Sequence, residues 1–517
     1  MLQRARRCGR MLPMDRRAFL RSSVLASGAA LCGRMAFSQA DSSVSLKLTL
    51  HPKQLGNAIP ADFTGLSYES AQLSQPEFFS PENTELAGYI RRLGQSGVLR
   101  IGGNTSEYCY WTPSGSADNP ATREEDEANV IPQAVGADKG HKPPPPKKIT
   151  PEAVHNLRGF IDATGWKLIY GLNMGTETAE TAAAEAEYVM RTIGDKLIAF
   201  QLCNEPDLFS RNGLRKPDYN FAQFAVEWQN YFEVIRKRVP HAPFAGPDTA
   251  FNNEWLVPFA KQFSNDVAFL SQHYYAEGPP KNPSMTIERL LKPNPRLADE
   301  FQGMAQVKTE STVPFRLAET NSCYQGGKQG VSDTFASALW GADLMYQLAA
   351  AGGVGINFHG GGYGWYTPIA GTVRDGFVAR PIYYGMLLFA EAGPGHLIEA
   401  KIDNQQDAPL VNAYGLINDR IEPRNTVKAV LFNKHDDRAV RLEIDCGEKG
   451  THAQALWLMA PRPEATTDVT LGGNPVGGSG SWDAQREEEV TTHDGIATID
   501  LPPASAALVT FHFGGYK

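Results

Sequence analysis

The sequence has 517 residues, 42% of them hydrophobic and 21% charged, which excludes a disordered chain and suffices for one large domain plus a smaller one. Its net charge is −8, but the first forty residues hold eight arginines and one acid, so residues 41–517 carry 41 basic against 56 acidic side chains, a net of −15. Such a surface repels long polyanions and excludes nucleic acid or a heavily sulfated polymer as a bulk partner, while a local pocket for one acidic unit stays open.

Residues 1–40 read as an export signal. Arg4, Arg6, Arg7 and Arg10 crowd the start, Arg16-Arg17-Ala18-Phe19-Leu20 has the form of a twin-arginine motif, and Ser38-Gln39-Ala40 offers small residues for cleavage. The apolar stretch Ser22 to Met35 is short of the roughly twenty residues that a membrane span needs, so the expected product is periplasmic or secreted, without an integral membrane segment. Met14 is an alternative start. Cys109, Cys203, Cys323 and Cys446 show neither a CxxC pair nor metal-ligand spacing. Disulfides and buried free thiols are both open readings, and no metal or cofactor is expected.

Val44 to Leu50 reads as a strand. From about residue 59 to 398, short apolar runs alternate with amphipathic helical stretches. The predicted strands are Phe63 to Tyr68, Val98 to Gly102, Lys167 to Asn173, Ile198 to Cys203, Pro243 to Gly246, Val267 to Tyr274, Pro314 to Glu319 and Gly353 to His359. Several are unbroken Val/Ile/Leu/Phe runs, as in strands covered on both faces. Helices are predicted at Glu82 to Leu93, Pro151 to Thr164, Thr178 to Ile193, Asn220 to Val239, Asn253 to Ser264, Ser332 to Ala351 and Pro381 to Ala392. Eight such units predict an α/β fold, a (β/α)8 TIM barrel.

The rhythm is interrupted by residues 112–150, with Glu124-Glu125-Asp126-Glu127 and Lys142-Pro143-Pro144-Pro145-Pro146, and by a second expected loop, Ala276 to Thr312. Residues 399–517 change to strands separated by Gly, Pro and Asp turns, predicting an additional all-β sandwich domain that the strand within residues 41–58 joins.

Two predicted strands end on acids. Ile198 to Cys203 runs into Asn204-Glu205-Pro206, and Phe315-Arg316-Leu317-Ala318 runs into Glu319. As strands four and seven, they bring both carboxylates to the C-terminal rim, where barrel enzymes place their chemistry. Hydrolysis of a glycosidic bond needs such a pair: one acid protonates the departing oxygen while the other attacks or activates water. The alternative is that each is an ordinary loop acid.

Around them, Tyr275 ends strand six, and Thr320-Asn321-Ser322-Cys323-Tyr324-Gln325-Gly326-Gly327 follows Glu319; its glycines admit close backbone approach to a ligand. His359 and Tyr366 flank Gly360-Gly361-Gly362 after strand eight, Arg100 on strand two is placed to keep Glu319 ionised, and Glu69 ends strand one. Tyr275 and Tyr366 are candidates for sugar contact or plain packing, His359 for binding or a structural histidine, and Glu69 for a hydroxyl acceptor or a loop acid. His359-Gly360-Gly361-Gly362 also matches an esterase oxyanion loop, but the chain has no G-x-S-x-G elbow, and no HExxH or P-loop.

The Asn204-Glu205-Pro206 tripeptide with the strand-end Glu319 resembles clan A glycoside hydrolases. More narrowly, residues 41–517 look like glycoside hydrolase family 79, most like its bacterial β-glucuronidases. The resemblance implies an exo-acting retaining β-glucuronidase with Glu205 as acid/base and Glu319 as nucleophile. It implies that Asn204 belongs to the site and that Tyr275, Tyr324 and the Gly326 amide grip the carboxylate of a glucuronic-acid-containing saccharide or glycoside. A heparanase-like endo-enzyme, a neutral-sugar glycosidase of the clan and a non-catalytic carbohydrate-binding surface protein are the alternatives.

Overall fold

The computed structural model describes residues 44–114, 145–418, 426–447, 452–485 and 487–513. The expected export signal at residues 1–40, the acidic run at 124–127 and part of the proline tract lie outside the described residues. All eight predicted barrel strands form. Numbering the barrel strands alone, they are β1 Thr64–Glu69, β2 Val98–Gly102, β3 Lys167–Gly171, β4 Leu197–Gln201, β5 Phe244–Thr249, β6 Phe269–Glu277, β7 Phe315–Cys323 and β8 Gly355–His359. Each pairs in parallel with its chain neighbours, and β8 closes on β1 through Ile356 to His359 against Thr64 to Ser67.

Side chains two apart on a strand share a face, and this rule builds the barrel interior in layers. Val98, Ile169, Ala199, Ala245 and Phe269 form an apolar layer low in the barrel. Two residues further up the same strands stand Arg100, Gln201 and Ser271, a buried polar layer, and β6 continues inward with His273 and Tyr275. Outside the barrel, apolar helix faces cover the strands. The helix Pro151–Thr164 shows the local logic: Thr150 accepts the Ala153 N–H, Pro151 occupies the first turn, and Gly165 ends it at φ 78°.

Three expectations need correction. Ala276 to Thr312 is not a loop, since it holds the helices Ile287–Leu291 and Pro295–Glu310. Asn294 caps the second, accepting the Arg296 N–H at 3.0 Å, and the helix buries Leu297, Met304 and Val307; this cap-and-proline start resembles loop punctuation in the sequence. β7 does not end on Glu319 but runs four residues further, with a register shift between Leu317 and Glu319. In the long insertion, Lys147–Ile149 pairs in parallel with Cys109–Trp111.

After the helix Pro381–Ala392 comes the all-β part. Its strands form one sheet in which Val44–Ile59 pairs with both Gly395–Asp403 and Val440–Asp445, and the sheet closes through His452–Met459 against Ser505–His512. Leu46, Leu48, Leu442, Ile444, Val509 and Phe511 belong to its own core. Asp343 on the helix Phe335–Ala351 ties it to the barrel, accepting bonds from Asn412, Tyr414 and Lys434, the last at 2.5 Å. All four described cysteines are buried. No described helix is long and apolar enough to cross a membrane.

Candidate active site

At the C-terminal rim, Glu205 and Glu319 converge. Glu205 lies four residues beyond β4 with its backbone in the left-handed region, φ 49°, a conformation disfavoured for a residue with a side chain. Asp248 on β5 is also left-handed, φ 61°, and its carbonyl accepts the Glu205 N–H at 2.9 Å. One carboxylate oxygen each of Glu205 and Glu319 and a ring nitrogen of His273 lie within 4.8 Å of one another.

Arg100 organises the pair from below. Its Nη1 donates to Glu319 Oε2 at 2.5 Å and to Ser67 Oγ at 3.1 Å. Its Nη2 donates to Asp248 Oδ2 at 2.7 Å and to Asn204 Oδ1 at 2.8 Å, and Nε donates to Gln201 Oε1 at 2.9 Å. A Cβ at Gly102 would stand 2.6 Å from the Arg100 guanidinium, and one at Gly103 (φ 73°) 2.5 Å from a Glu69 oxygen, so these glycines let both side chains through. Burial opposes the Arg100 charge, but Asp248 and Glu319 outweigh it and raise its pKa.

His273 is held between Asp248 Oδ2 at 3.2 Å and Glu205 Oε1 at 3.1 Å. Burial works against its charge, yet Asp248 and Glu319 lift its pKa to about 10, so it is an imidazolium donating to Asp248 Oδ2 on one side and Glu205 Oε1 on the other. With both nitrogens donating, the Glu205, His273 and Glu319 cluster offers a cation no imidazole lone pair. Burial alone would raise Glu319, but His359, His273, Arg100 and the Tyr275 hydroxyl bring its carboxyl well below the usual range. Tyr275 Oη donates to Glu319 Oε1 at 2.6 Å.

A cavity of 290 Å³ opens above the pair, lined in part by Asn104, Glu205, Tyr275, Glu319, Tyr324 and Tyr366. Asn204, Gly326, His359 and Glu69 are buried and do not line it. Asn204 is fixed through its N–H to Glu107 at 2.6 Å and through Arg100. His359 Nδ1 is 2.9 Å from Ser67 Oγ and 3.5 Å from Glu319 Oε2. Glu69 accepts the N–H and hydroxyl of Thr105 at 2.8 and 2.6 Å, and the Gly326 carbonyl accepts the Trp365 N–H at 2.6 Å.

Sequence reasoning missed Asp248, the role of His273, Gln325 and the wall formed by Asp207, Leu208, Arg211, Asn212, Ala250, Phe251 and Arg296. Asp248 follows Gly246-Pro247, where the strand was expected to have ended already. Arg296 sits on the unpredicted helix.

The family model of the glycosyl hydrolase family 79 N-terminal domain matches residues 150–345. A β-glucuronidase of Aspergillus niger is 25% identical over 522 residues, covering 87% of this chain and 88% of the relative. One of Neurospora crassa is 24% identical over 362 residues, 64% and 61% of the two chains. Both relatives are fungal rather than bacterial. Among solved structures, a 4-O-α-L-rhamnosyl-β-D-glucuronidase from Fusarium oxysporum matches with a TM-score of 0.68 at 18% identity, over 90% of this chain and all of that one. An α-L-arabinofuranosidase from Thermotoga maritima matches with 0.65 at 14% identity, over the same shares. At these identities the likeness is one of fold.

Proposed function

The chain belongs to glycoside hydrolase family 79, and from that premise we propose that it is an exo-acting, retaining β-glucuronidase with Glu319 as nucleophile and Glu205 as acid/base. The observation that carries this is the carboxylate pair, whose nearest oxygens lie within 4.8 Å. Retaining pairs stand about 5–5.5 Å apart and inverting pairs about 6.5–9.5 Å, to leave room for a water. The two curated relatives are β-glucuronidases, which supports the sugar.

The chemistry follows from the two environments. Glu319 stays an anion, with Arg100 on one oxygen and Tyr275 on the other, and attacks the anomeric carbon. Glu205 protonates the leaving oxygen; because His273 donates to its Oε1, Oε2 is the oxygen that carries the proton. Once the glycosyl ester has formed, Glu205 takes a proton from water, which attacks the same carbon and restores the original configuration. Tyr324, Gln325 and Tyr366 are the neutral groups placed to receive the glucuronate carboxylate, since the Tyr275 hydroxyl is committed to Glu319. A cavity of 290 Å³ suits one sugar and the start of its leaving group, which supports exo action. The arginine-rich export segment supports a site of action outside the cytoplasm.

The test is hydrolysis of 4-nitrophenyl β-glucuronide against the β-glucoside, with NMR of the first-formed anomer. Glucuronide preference and β-glucuronic acid first are expected. Preference for the glucoside, or α-anomer first, overturns the proposal.

A further inference from the structure

The cavity is asymmetric about the carboxylate pair. Its lining divides by the elements that carry it: Tyr324, Gln325 and Tyr366 follow Glu319 on the segments after β7 and β8, whereas Leu208, Arg211, Asn212, Ala250 and Phe251 follow Glu205 on the segments after β4 and β5 and are joined by Arg296 from the helix after β6. In a displacement at Glu319 with protonation by Glu205, the sugar lies on the first side and the departing group on the second. We propose that the second wall is a leaving-group subsite for an aglycone carrying a carboxylate beside a flat apolar face. This rests on the glucuronidase reading and goes beyond it by naming the aglycone chemistry.

The two arginines carry the argument. Arg100, Arg215 and Arg316 are all bonded to side-chain or backbone oxygens. By contrast, among the described residues neither Arg211 nor Arg296 has a carboxylate within 4.0 Å or a side-chain hydrogen bond, although both line the cavity. Arg296 lies over the Phe251 ring at 5.2 Å, so a cation and an apolar face are presented together, and a flat group can slide along them with its anion at the guanidinium. Their charges reach inward as far as the Tyr324 phenol. Asp207, which also lines the cavity, accepts the Ala250 N–H on its Oδ1 at 3.0 Å, and burial pushes its carboxyl up to about 7, which weakens its opposition to an anion. The site is thus a basic spot on a chain that is acidic beyond residue 40, and it selects an anion at short range rather than drawing in a polyanion.

The shared chemistry has two sources, an aromatic acid or a second uronic acid. The experiment measures kcat/KM for 4-carboxyphenyl against 4-carbamoylphenyl β-glucuronide, and for β-glucuronyl-galacturonic acid against β-glucuronyl-galactose, with the full chain and with Arg211→Gln/Arg296→Gln. In at least one pair the double variant is expected to lower the anionic-to-neutral ratio roughly tenfold, the scale of one charge-assisted hydrogen bond, with the loss in KM of the anionic substrate. The pair that responds identifies the source. An equal loss on both members of each pair assigns the arginines to the glucuronate carboxylate or to holding the wall, and overturns the subsite, as does an unchanged ratio. If the parent hydrolyses none of the four, the glucuronidase reading falls and this one with it; hydrolysis with a ratio insensitive to the arginines removes the subsite alone.

Discussion

Replacing Tyr275 with phenylalanine removes one oxygen atom from the site and leaves the ring in place. That ring is 7% exposed, edge-on to Tyr324 at 6.3 Å and 6.2 Å from Tyr366, so packing survives the change. What is lost is the 2.6 Å bond to Glu319 Oε1. Burial, reinforced by the Glu319 charge, pushes the Tyr275 hydroxyl well above its ordinary pKa, so in the parent it is a donor throughout the working pH range. A hydrogen bond to a charged group contributes about 1.5–3 kcal/mol, and with about 1.36 kcal/mol per decade kcat/KM should fall roughly ten- to a hundredfold, because the carboxylate loses the contact that fixes its angle of attack. The same bond is one of the groups that lower Glu319, so its removal raises the Glu319 pKa, and the acid limb of kcat/KM moves to higher pH. The assay is a pH–rate profile on 4-nitrophenyl β-glucuronide beside a thermal melt. A variant within twofold of the parent, with an unmoved acid limb, refutes the idea that this hydroxyl holds the nucleophile.

Glu205→Ala should lose turnover on glycosides with poor leaving groups, whereas on 2,4-dinitrophenyl β-glucuronide, whose leaving group needs no acid, azide should release the glycosyl-enzyme as β-glucuronyl azide; release as an α-azide, read by NMR, contradicts its assignment as acid/base. Lys434→Met removes the partner of Asp343 in a pair whose side chains are 8% and 2% exposed, and should lower unfolding stability by about 3–5 kcal/mol in urea titration while kcat at low temperature stays near the parent value. A loss below 1 kcal/mol, about that of an exposed pair, would say that water reaches it. Stability should also fall from about pH 5 to about pH 8. Burial raises Glu107, Glu185 and Glu300 to about 8, so their contribution is full below the unfolded value near 4 and is lost as pH rises through 8. That of His273, raised to about 10 against burial by Asp248 and Glu319, is lost later, as pH rises through 10. Asp248 and Glu319, held low against burial, by His273 and Arg100 for Asp248 and by His359, His273 and Arg100 for Glu319, act in the other direction and cost stability only as pH falls below about 4. A melting temperature that climbs between about pH 5 and about pH 8 contradicts this balance.

The barrel was legible because several of its strands open on apolar runs, as in Leu197-Ile198-Ala199-Phe200 of β4. Glu205 and Glu319 were legible for the same reason, as acids where such runs stop or turn polar. Of the layer that tunes them only Arg100 was, as the cation expected to keep Glu319 ionised. Gln201, Ser271 and His273 join it only through the alternation of inward side chains around a closed barrel, and nothing in a single strand says which partner its inward residue meets. Asp248 was hidden because a left-handed backbone after Gly246-Pro247 looks like a turn. Arg211 comes from a loop and Arg296 from a helix 85 residues further on, and their convergence with Phe251 is a property of the rim alone.

The central claim, that Glu319 becomes covalently attached to glucuronic acid while Glu205 moves the proton, is tested most directly by trapping the intermediate. The full chain is incubated with 2-deoxy-2-fluoro-β-glucuronyl fluoride, weighed intact by mass spectrometry, digested and mapped. One glycosyl adduct per chain, on Glu319, is the expected result. An adduct on Glu205 or on any other residue, or glucuronide turnover with no adduct, contradicts the account.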